Sequence, residues 1–355
     1  MADDPNVFLG MTIGNRYRIE ECVGRGYFSF VFKAFDQQDQ VPVAVKVLKL
    51  GHAGSTAAVL EFDTEGRLLQ SLQSRSNIVG LHSSGMSAVP ISVQGASTVL
   101  NVRFHAMELA DLALVDLLVY RDQVSWLDKL SIFRDVVSGL HQMHISHVAH
   151  RDLKADNVLL FMVGNRRVAA KVSDLGRSRD LYDSARLDPP AYEWGRGDRF
   201  HAPPEHFLGL GRSSEDDFKY ADFYLVGSVL CEIISGQQMN SLVPPSSATS
   251  QAFLAALPAE REAMFGTWTS RAVMEYSNAI SLISGDVPAA IRHQVVELLT
   301  QLCHPVPRMR ATRQRREQNL PRWGLDWVLR RVDIIIRRLK ADNRVPSRVA
   351  AQTGP

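Results

Sequence analysis

Cysteine is scarce in this chain. Three are present, Cys22, Cys231 and Cys303, widely spaced and odd in number. Neither a disulfide framework nor a cysteine-rich zinc site is expected, and a reducing compartment fits. Long apolar runs are missing as well. The longest, around 223–234, falls well short of the ~18 residues needed to cross a bilayer. The N-terminus reads Met1-Ala2-Asp3-Asp4, acidic where a secretory leader would be basic. Net charge is close to absent, with 40 Lys and Arg against 38 Asp and Glu, and by itself names no partner. There is no internal repeat. The expectation is a soluble, cytoplasmic protein. What is present is ordinary globular material: 355 residues, 45% hydrophobic and 22% charged. That is enough for one large two-lobed domain or two ordinary ones, with a sizeable core.

The charge is unevenly placed. Residues 308–340 hold eleven Arg and Lys against three acids (Glu317, Asp326, Asp333), a local balance of +8 that leaves −6 for the rest. Within 321–340, Trp323, Trp327, Val328, Val332, Ile335, Ile336 and Leu339 recur at three- and four-residue spacing. This is one apolar helical stripe, with Arg330, Arg331, Arg337, Arg338 and Lys340 mostly off it. The favoured expectation is a helix that packs its stripe and leaves a solvated basic face. The alternative is a docking element for an acidic partner, with nucleic acid or an anionic membrane surface as further occupants.

The first hundred residues read as strands. The stretches 17–24, 28–35, 41–50 and 99–107 are rich in β-branched and aromatic residues and bounded by Gly or polar turns. One helix, about 55–72, interrupts them with Leu68, Leu69 and Leu72 on one face. Beyond Leu109 the pattern turns helical. Ser125-Trp126-Leu127-Asp128 resembles a capping box ahead of Leu130, Phe133, Val137 and Leu140. A buried helix is expected over 220–235 and a loop over 241–250.

Several residues on this frame carry chemistry. Val23-Gly24-Arg25-Gly26-Tyr27-Phe28-Ser29-Phe30-Val31 sets glycines between two strands, where backbone N–H groups can approach phosphate oxygens; a plain hairpin turn fits equally well. Lys46, in Val43-Ala44-Val45-Lys46, is a cation in an apolar strand, costly unless it meets an anion. Glu65 shares a face with Leu69 and Leu72 and is preferred over Glu61 as its partner. His150-Arg151-Asp152-Leu153-Lys154-Ala155-Asp156-Asn157 follows a buried helix. Asp152 can accept a hydroxyl proton, Lys154 can neutralise a moving phosphoryl group, and an Asn157 oxygen can ligate Mg²⁺. Seventeen residues on, after a strand-like 168–172, stands Asp174 in Ser173-Asp174-Leu175-Gly176, a second Mg²⁺ ligand.

In this order and spacing the motifs resemble the eukaryotic-type, or Hanks-type, protein kinase family over residues 14–312. The resemblance implies an α+β, bilobal fold with a small β-rich N-lobe, about 14–108, and a larger, mainly helical C-lobe, about 109–312. Residues 1–13 would be an N-terminal extension, and 313–355 a basic C-terminal helix and tail. It implies ATP and Mg²⁺ as cofactors and a protein hydroxyl as acceptor. Gly24, Gly26 and Ser29 would cover the phosphates. Lys46 would contact the α- and β-phosphates and pair with Glu65. Asp152 would be the base and Asp174 the main metal ligand. Val23, Val31 and Ala44 would lie on one side of the adenine and Leu159 on the other. Met107 would be the gatekeeper, with Glu108-Leu109-Ala110 as the hinge. Pro203-Pro204-Glu205 would close the activation segment, Asp222 would hold the catalytic loop, and Arg308 would pair with Glu205.

The sequence also departs from the family pattern. Ser29 stands for the third loop glycine, and Leu175 for the usual Phe after the metal-binding Asp. Pro203 replaces Ala. Asp198 occupies the position of the Thr typical of serine/threonine kinases, and His201 that of an aromatic, although Phe200 is adjacent. Lys154 favours serine/threonine over tyrosine specificity. The alternatives are a pseudokinase scaffold and a small-molecule phosphotransferase. The first is disfavoured by Lys46, Asp152, Asn157 and Asp174, the second by Lys154 and the Pro-Glu pair. For activation by autophosphorylation, beside Arg151, the segment offers Ser178, Tyr182, Ser184 and Tyr192 and no Thr. Ser184 is the first choice, unless Glu193 or Asp198 supplies a permanent charge.

Overall fold

The computed structural model describes residues 4–93, 96–164, 167–182, 201–208, 210, 214–243, 247–311 and 324–342. The chain divides into two compact units: Met1–Asp111 with Ser173–Ser178, and Leu112–Val172 with Arg179–Pro355.

Alternating apolar residues build the first unit. Its antiparallel sheet has the order β1-β2-β3-β4-β6-β5. The strands are β1 (Thr12–Ile13), β2 (Tyr17–Arg25), β3 (Ser29–Asp36), β4 (Val41–Leu48), β5 (Leu81–Val93) and β6 (Ala96–Glu108). In β3 and β4, Phe30, Phe32, Val43, Val45 and Val47 point to one buried face, as the two-residue period of a pleat requires. Phe8 and Ile13, within the stretch expected as an extension, belong to this core. The expected strand over 99–107 is the centre of β6. β5, which pairs along its whole length, was not expected, because Ser83, Ser84, Gly85 and Ser87 mask its alternation. α1 (Thr56–Ser71) starts where the Ser55 hydroxyl accepts from Ala58 N.

The second unit is mainly helical. α3 (Trp126–Ile145) is capped by Ser125, which accepts from Asp128 N. The Asp128 carboxylate returns to the Ser125 hydroxyl, not to the backbone N–H that a full capping box would use. The central helix α5 (Glu215–Ser235) runs from the Ser214 cap to a left-handed Gly236. It begins five residues earlier than the sequence pattern indicated and is buried on all sides from Phe218 to Ile234. Short α2 (Leu114–Leu118) and α4 (Pro204–Phe207) flank these. The region 241–250 is not simply a loop: α6 (Met239–Leu242) ends inside it and α7 (Ser247–Ala255) begins there. Neither α8 (Pro258–Ile283) nor α9 (Ala289–Leu302) was anticipated.

α10 (Asp326–Asp342) carries the apolar stripe, and Val328, Val332, Ile335 and Leu339 are buried where it lies along α3 and α9. Trp327 meets Phe223 edge-on at 6.2 Å between ring centroids. Arg134 Nε donates to Asp333 at 2.6 Å, and Leu325 N donates to His141 Nδ1 at 3.0 Å. The packed reading of this helix therefore holds, while Trp323 lies outside the described residues.

Candidate functional site

In β4, with Val43, Val45 and Val47 committed to the core, Lys46 falls on the opposite face. Its Nζ donates to Glu65 Oε2 at 2.6 Å and to Asp174 Oδ1 at 3.0 Å. Glu65 is 2% exposed and Asp174 is open to solvent. Burial opposes the charge on Lys46, but Asp174 and Glu65 together outweigh it and hold the ammonium protonated. Burial works the other way on Glu65, lifting its carboxyl to about 7 against the pull of Lys46. A cation 2.6 Å away makes the ionised carboxylate the form this contact is built for. Asp174 has left-handed backbone angles, φ +57° and ψ +70°, a region that Asp enters more readily than most non-glycine residues and that recurs at constrained functional positions. Leu175 behind it is fully buried, and its turn packs on α1.

The glycine hairpin joins β2 to β3. Gly26 N donates to Ser29 O at 2.9 Å. A side chain at Gly24 would come within 3.2 Å of Val31 Cβ. Val23, Arg25 and Gly26 are exposed, Val31 is half-buried, and Ser29, Ala44 and Met107 are buried. Glu108 N donates to Gly80 O at 3.0 Å. With Ala110, all of these belong to the first unit.

Asp152, Lys154, Asn157 and Leu159 belong to the second unit. β8 (Val148–Ala149) pairs with β11 (Arg179–Asp180), and the loop that follows β8 leads into β9 (Val158–Val163), itself paired with β10 (Arg167–Val172) and β7 (Leu112–Ala113). Asp222, wholly buried in α5, ties this loop down. It accepts from His144 Nε2 at 2.7 Å, His150 N at 2.8 Å and Arg151 N at 2.7 Å. Burial alone would raise its pKa, yet these donors, His144 first, hold it below the ordinary carboxylate value. Asn157 Nδ2 donates to Asp152 O at 2.7 Å. Asp152 and Asn157 are buried, Lys154 and Leu159 half-buried.

One pairing is corrected. Glu205 meets Arg310, not Arg308. The Arg310 guanidinium reaches both carboxylate oxygens, at 2.7 and 2.8 Å, and also donates to Tyr220 O and His304 O. Arg310 is fully buried and Arg308 exposed, because the 3-10 turn Pro307–Arg310 directs its last residue inward. Burial raises the Glu205 pKa, and Arg310 more than reverses this. His144 also went unnoticed in the sequence. Its place one turn beyond Leu140 on the inner face of α3 was the available signal.

Of the candidate phosphorylation hydroxyls, Ser178 is 2% exposed. Tyr182 is open to solvent, with its hydroxyl 2.6 Å from His147 Nε2. Ser184, Tyr192, Glu193 and Asp198 lie outside the described residues, whereas His201 is buried beside Glu232, 3.6 Å away. No described helix is long and apolar enough to cross a membrane.

Comparison with known proteins shows the family. A family model described as "Protein kinase domain" matches residues 17–319. A probable serine/threonine-protein kinase of Clostridium perfringens is 28% identical over 229 residues, 64% of this chain and 30% of that protein. A G-type lectin S-receptor-like serine/threonine-protein kinase of Arabidopsis thaliana is 29% identical over 230 residues, 64% of this chain and 25% of that protein. The serine/threonine-protein kinase PrkC of Bacillus subtilis is 25% identical over 232 residues, 65% and 32% of the two chains. The matched part thus spans a third or less of these curated relatives.

Proposed function

The chain belongs to the protein kinase family, and we propose that it is an active enzyme that transfers the γ-phosphoryl group of ATP to a protein hydroxyl, with serine or threonine as the acceptor. The observation that carries this reading is Lys46 Nζ held between Glu65 at 2.6 Å and Asp174 at 3.0 Å. A scaffold without catalysis is disfavoured because Lys46, Asp152, Asn157 and Asp174 are all present. The serine/threonine assignment is supported by Lys154 and by the names of the matched relatives.

In this reading Lys46 orients the α- and β-phosphates, with Glu65 fixing the ammonium. The backbone of Gly24, Gly26 and Ser29 covers the phosphates. Val23, Arg25, Val31, Ala44 and Leu159 flank the nucleotide, and Met107, Glu108 and Ala110 border the adenine. Asp152 accepts the hydroxyl proton, and Lys154 balances charge on the phosphoryl group in flight. The oxygens of Asp174 and Asn157 are hard donors of the kind Mg²⁺ prefers. The ion, when bound, neutralises phosphate charge. We place it in the cytoplasm, a reading supported by ATP as the proposed donor and by the free thiols of Cys22, Cys231 and Cys303. An acidic partner at α10 would have to use the exposed Arg337, Arg338 and Lys340, since α3 and α9 take up the apolar stripe.

The test is labelled ATP with purified protein, alone and with a generic protein substrate. Lys46→Met and Asp174→Asn each lower turnover by roughly three orders of magnitude or more while the fold survives. Asp152→Asn abolishes transfer yet leaves ATP binding nearly intact. An inactive wild type, or a Lys46→Met variant near wild-type turnover, refutes the assignment.

A further inference from the structure

Outside the residues already given roles, His105 is the buried titratable group with the most specific surroundings. It lies on β6 directly across from Lys46 on β4, and cross-strand partners of this kind share a face of the sheet. It is 2% exposed. Its ring lies flat on Phe62 of α1, 4.0 Å between centroids and 16° between planes. Its Nε2 is 2.9 Å from the backbone carbonyl of Phe62, and its Nδ1 is 2.8 Å from the Ser84 hydroxyl. A carbonyl can only accept, so Nε2 carries the hydrogen and Nδ1 accepts from Ser84. The neutral imidazole satisfies both contacts.

Gly66 completes the arrangement. Glycine inside a helix is unfavourable against alanine, so its use in α1 needs a reason. A Cβ at Gly66 would come within 2.5 Å of His105 Cε1 and 2.9 Å of Ser84 Oγ. The missing side chain is the space the imidazole occupies. The helix is thus gripped at Phe62, three residues before Glu65, and at Gly66, one residue after it. Arg103 to Asp63, at 3.0 Å, also links β6 to α1, but it is a partly exposed surface pair of the kind worth little. An apolar side chain at 105 could fill the same volume. It could not set the rotation and height of the helix, because packing alone lacks the direction of a hydrogen bond.

We infer that His105 is a positioning residue for the phosphate-binding lysine: it fixes the register of α1 against β6 so that Glu65 reaches Lys46. The catalytic consequence rests on the kinase reading above, whereas the structural consequence rests on the geometry alone.

The test uses His105→Leu, His105→Gln, Gly66→Ala and the double variant Gly66→Ala/His105→Ala in the full chain. A glutamine places its amide N–H where Nε2 stands, so it is the conservative replacement. His105→Leu lowers kcat by about ten- to a hundredfold, the scale of an ångström misplacement, with the KM for ATP changed by less than about threefold. His105→Gln stays within about threefold of wild type. Gly66→Ala alone lowers kcat, and adding His105→Ala restores part of the loss by making room for the methyl group. If His105→Leu does not fold, the Gly66 pair decides the question. Wild-type kcat in His105→Leu, a glutamine variant no better than leucine, or a double variant no better than Gly66→Ala overturns the inference. Amide hydrogen exchange over residues 62–69 needs no turnover. Faster exchange in His105→Leu, reversed in His105→Gln, supports the inference, and unchanged exchange refutes it. An inactive wild type with that exchange pattern refutes the kinase reading and leaves the role of His105 standing.

Discussion

The Glu205–Arg310 pair allows a sharp stability experiment. Arg310 has no exposed surface and Glu205 is 5% exposed, and the guanidinium reaches both carboxylate oxygens and donates to the backbone carbonyls of Tyr220, His304 and Pro305. Arg310→Ala leaves a carboxylate buried without its cation and removes the guanidinium hydrogen bonds to the carbonyls of Tyr220 and His304. Breaking a buried pair in this way costs about 3–5 kcal/mol. For a unit of this size each kcal/mol corresponds to about 2–4 °C, so the expected drop in Tm is about 6–20 °C. Arg308→Ala, at the exposed neighbour, changes stability by no more than about 0.5 kcal/mol. Replacing both partners, Arg310→Met with Glu205→Leu, recovers most of the loss, because it removes the unpaired charge along with the salt bridge. All five tryptophans fall within the second unit, so urea titration followed by tryptophan fluorescence reports this unit specifically. Equal damage from Arg308→Ala and Arg310→Ala would refute the pairing. A double variant as unstable as Arg310→Ala would refute the electrostatic argument.

Ile335→Ala should destabilise the second unit by about 2–5 kcal/mol, since Ile335 is 1% exposed. Its neighbour Ile334, 57% exposed, should tolerate the same change within about 0.5 kcal/mol; the same urea titration decides, and equal effects would contradict the packing of α10. Asp222→Asn sets an amide N–H₂ against groups that donate to the carboxylate, so it should cost about 1.5–3 kcal/mol and lower kcat; unchanged turnover and stability would remove Asp222 from its supporting role. Burial holds the His105 pKa down to about 4, with the nearby Lys46 charge acting in the same direction and Asp63 against it. Above the ordinary value of 6.5 neither folded nor unfolded chain is protonated at this residue, so its contribution is fully present there. As the pH falls toward 4 the unfolded chain takes up the proton first and stability is lost, by about 2 kcal/mol at pH 5. Denaturation at pH 5 and 7.5 should therefore show a smaller acid loss in His105→Gln than in wild type, and equal losses would count against a neutral buried imidazole.

Local chemistry made much of this protein legible in its sequence. The β2–β4 strands follow from β-branched and aromatic stretches bounded by Gly and polar turns, α1 from Leu68, Leu69 and Leu72 on one face, and α3 from the capping pattern at Ser125. Lys46 stood out as a cation in an apolar strand, and Glu65 as an acid on the inner face of its helix. The Asp152 loop drew notice because an acid, an amine and an amide suited to phosphoryl transfer stand within residues 152–157, and Asp174 because it follows a strand-like stretch and precedes a glycine-bearing turn. The remainder depended on groups distant in sequence. β5 has its alternation broken by Ser83, Ser84, Gly85 and Ser87 and becomes a strand through its pairing with β6. α7 starts inside a stretch of Pro, Ser and Thr that reads locally as a loop. Whether Arg308 or Arg310 meets Glu205 depends on which way a 3-10 turn directs its last side chain, and that is settled only against Tyr220 and His304. Gly66 looks like a flaw in a helix until the His105 ring, thirty-nine residues away in the chain, is seen in the space its missing side chain leaves. Sequence carries preferences that act over a turn or a pleat, whereas burial, which makes one arginine essential and its neighbour dispensable, exists only once the chain has folded back on itself.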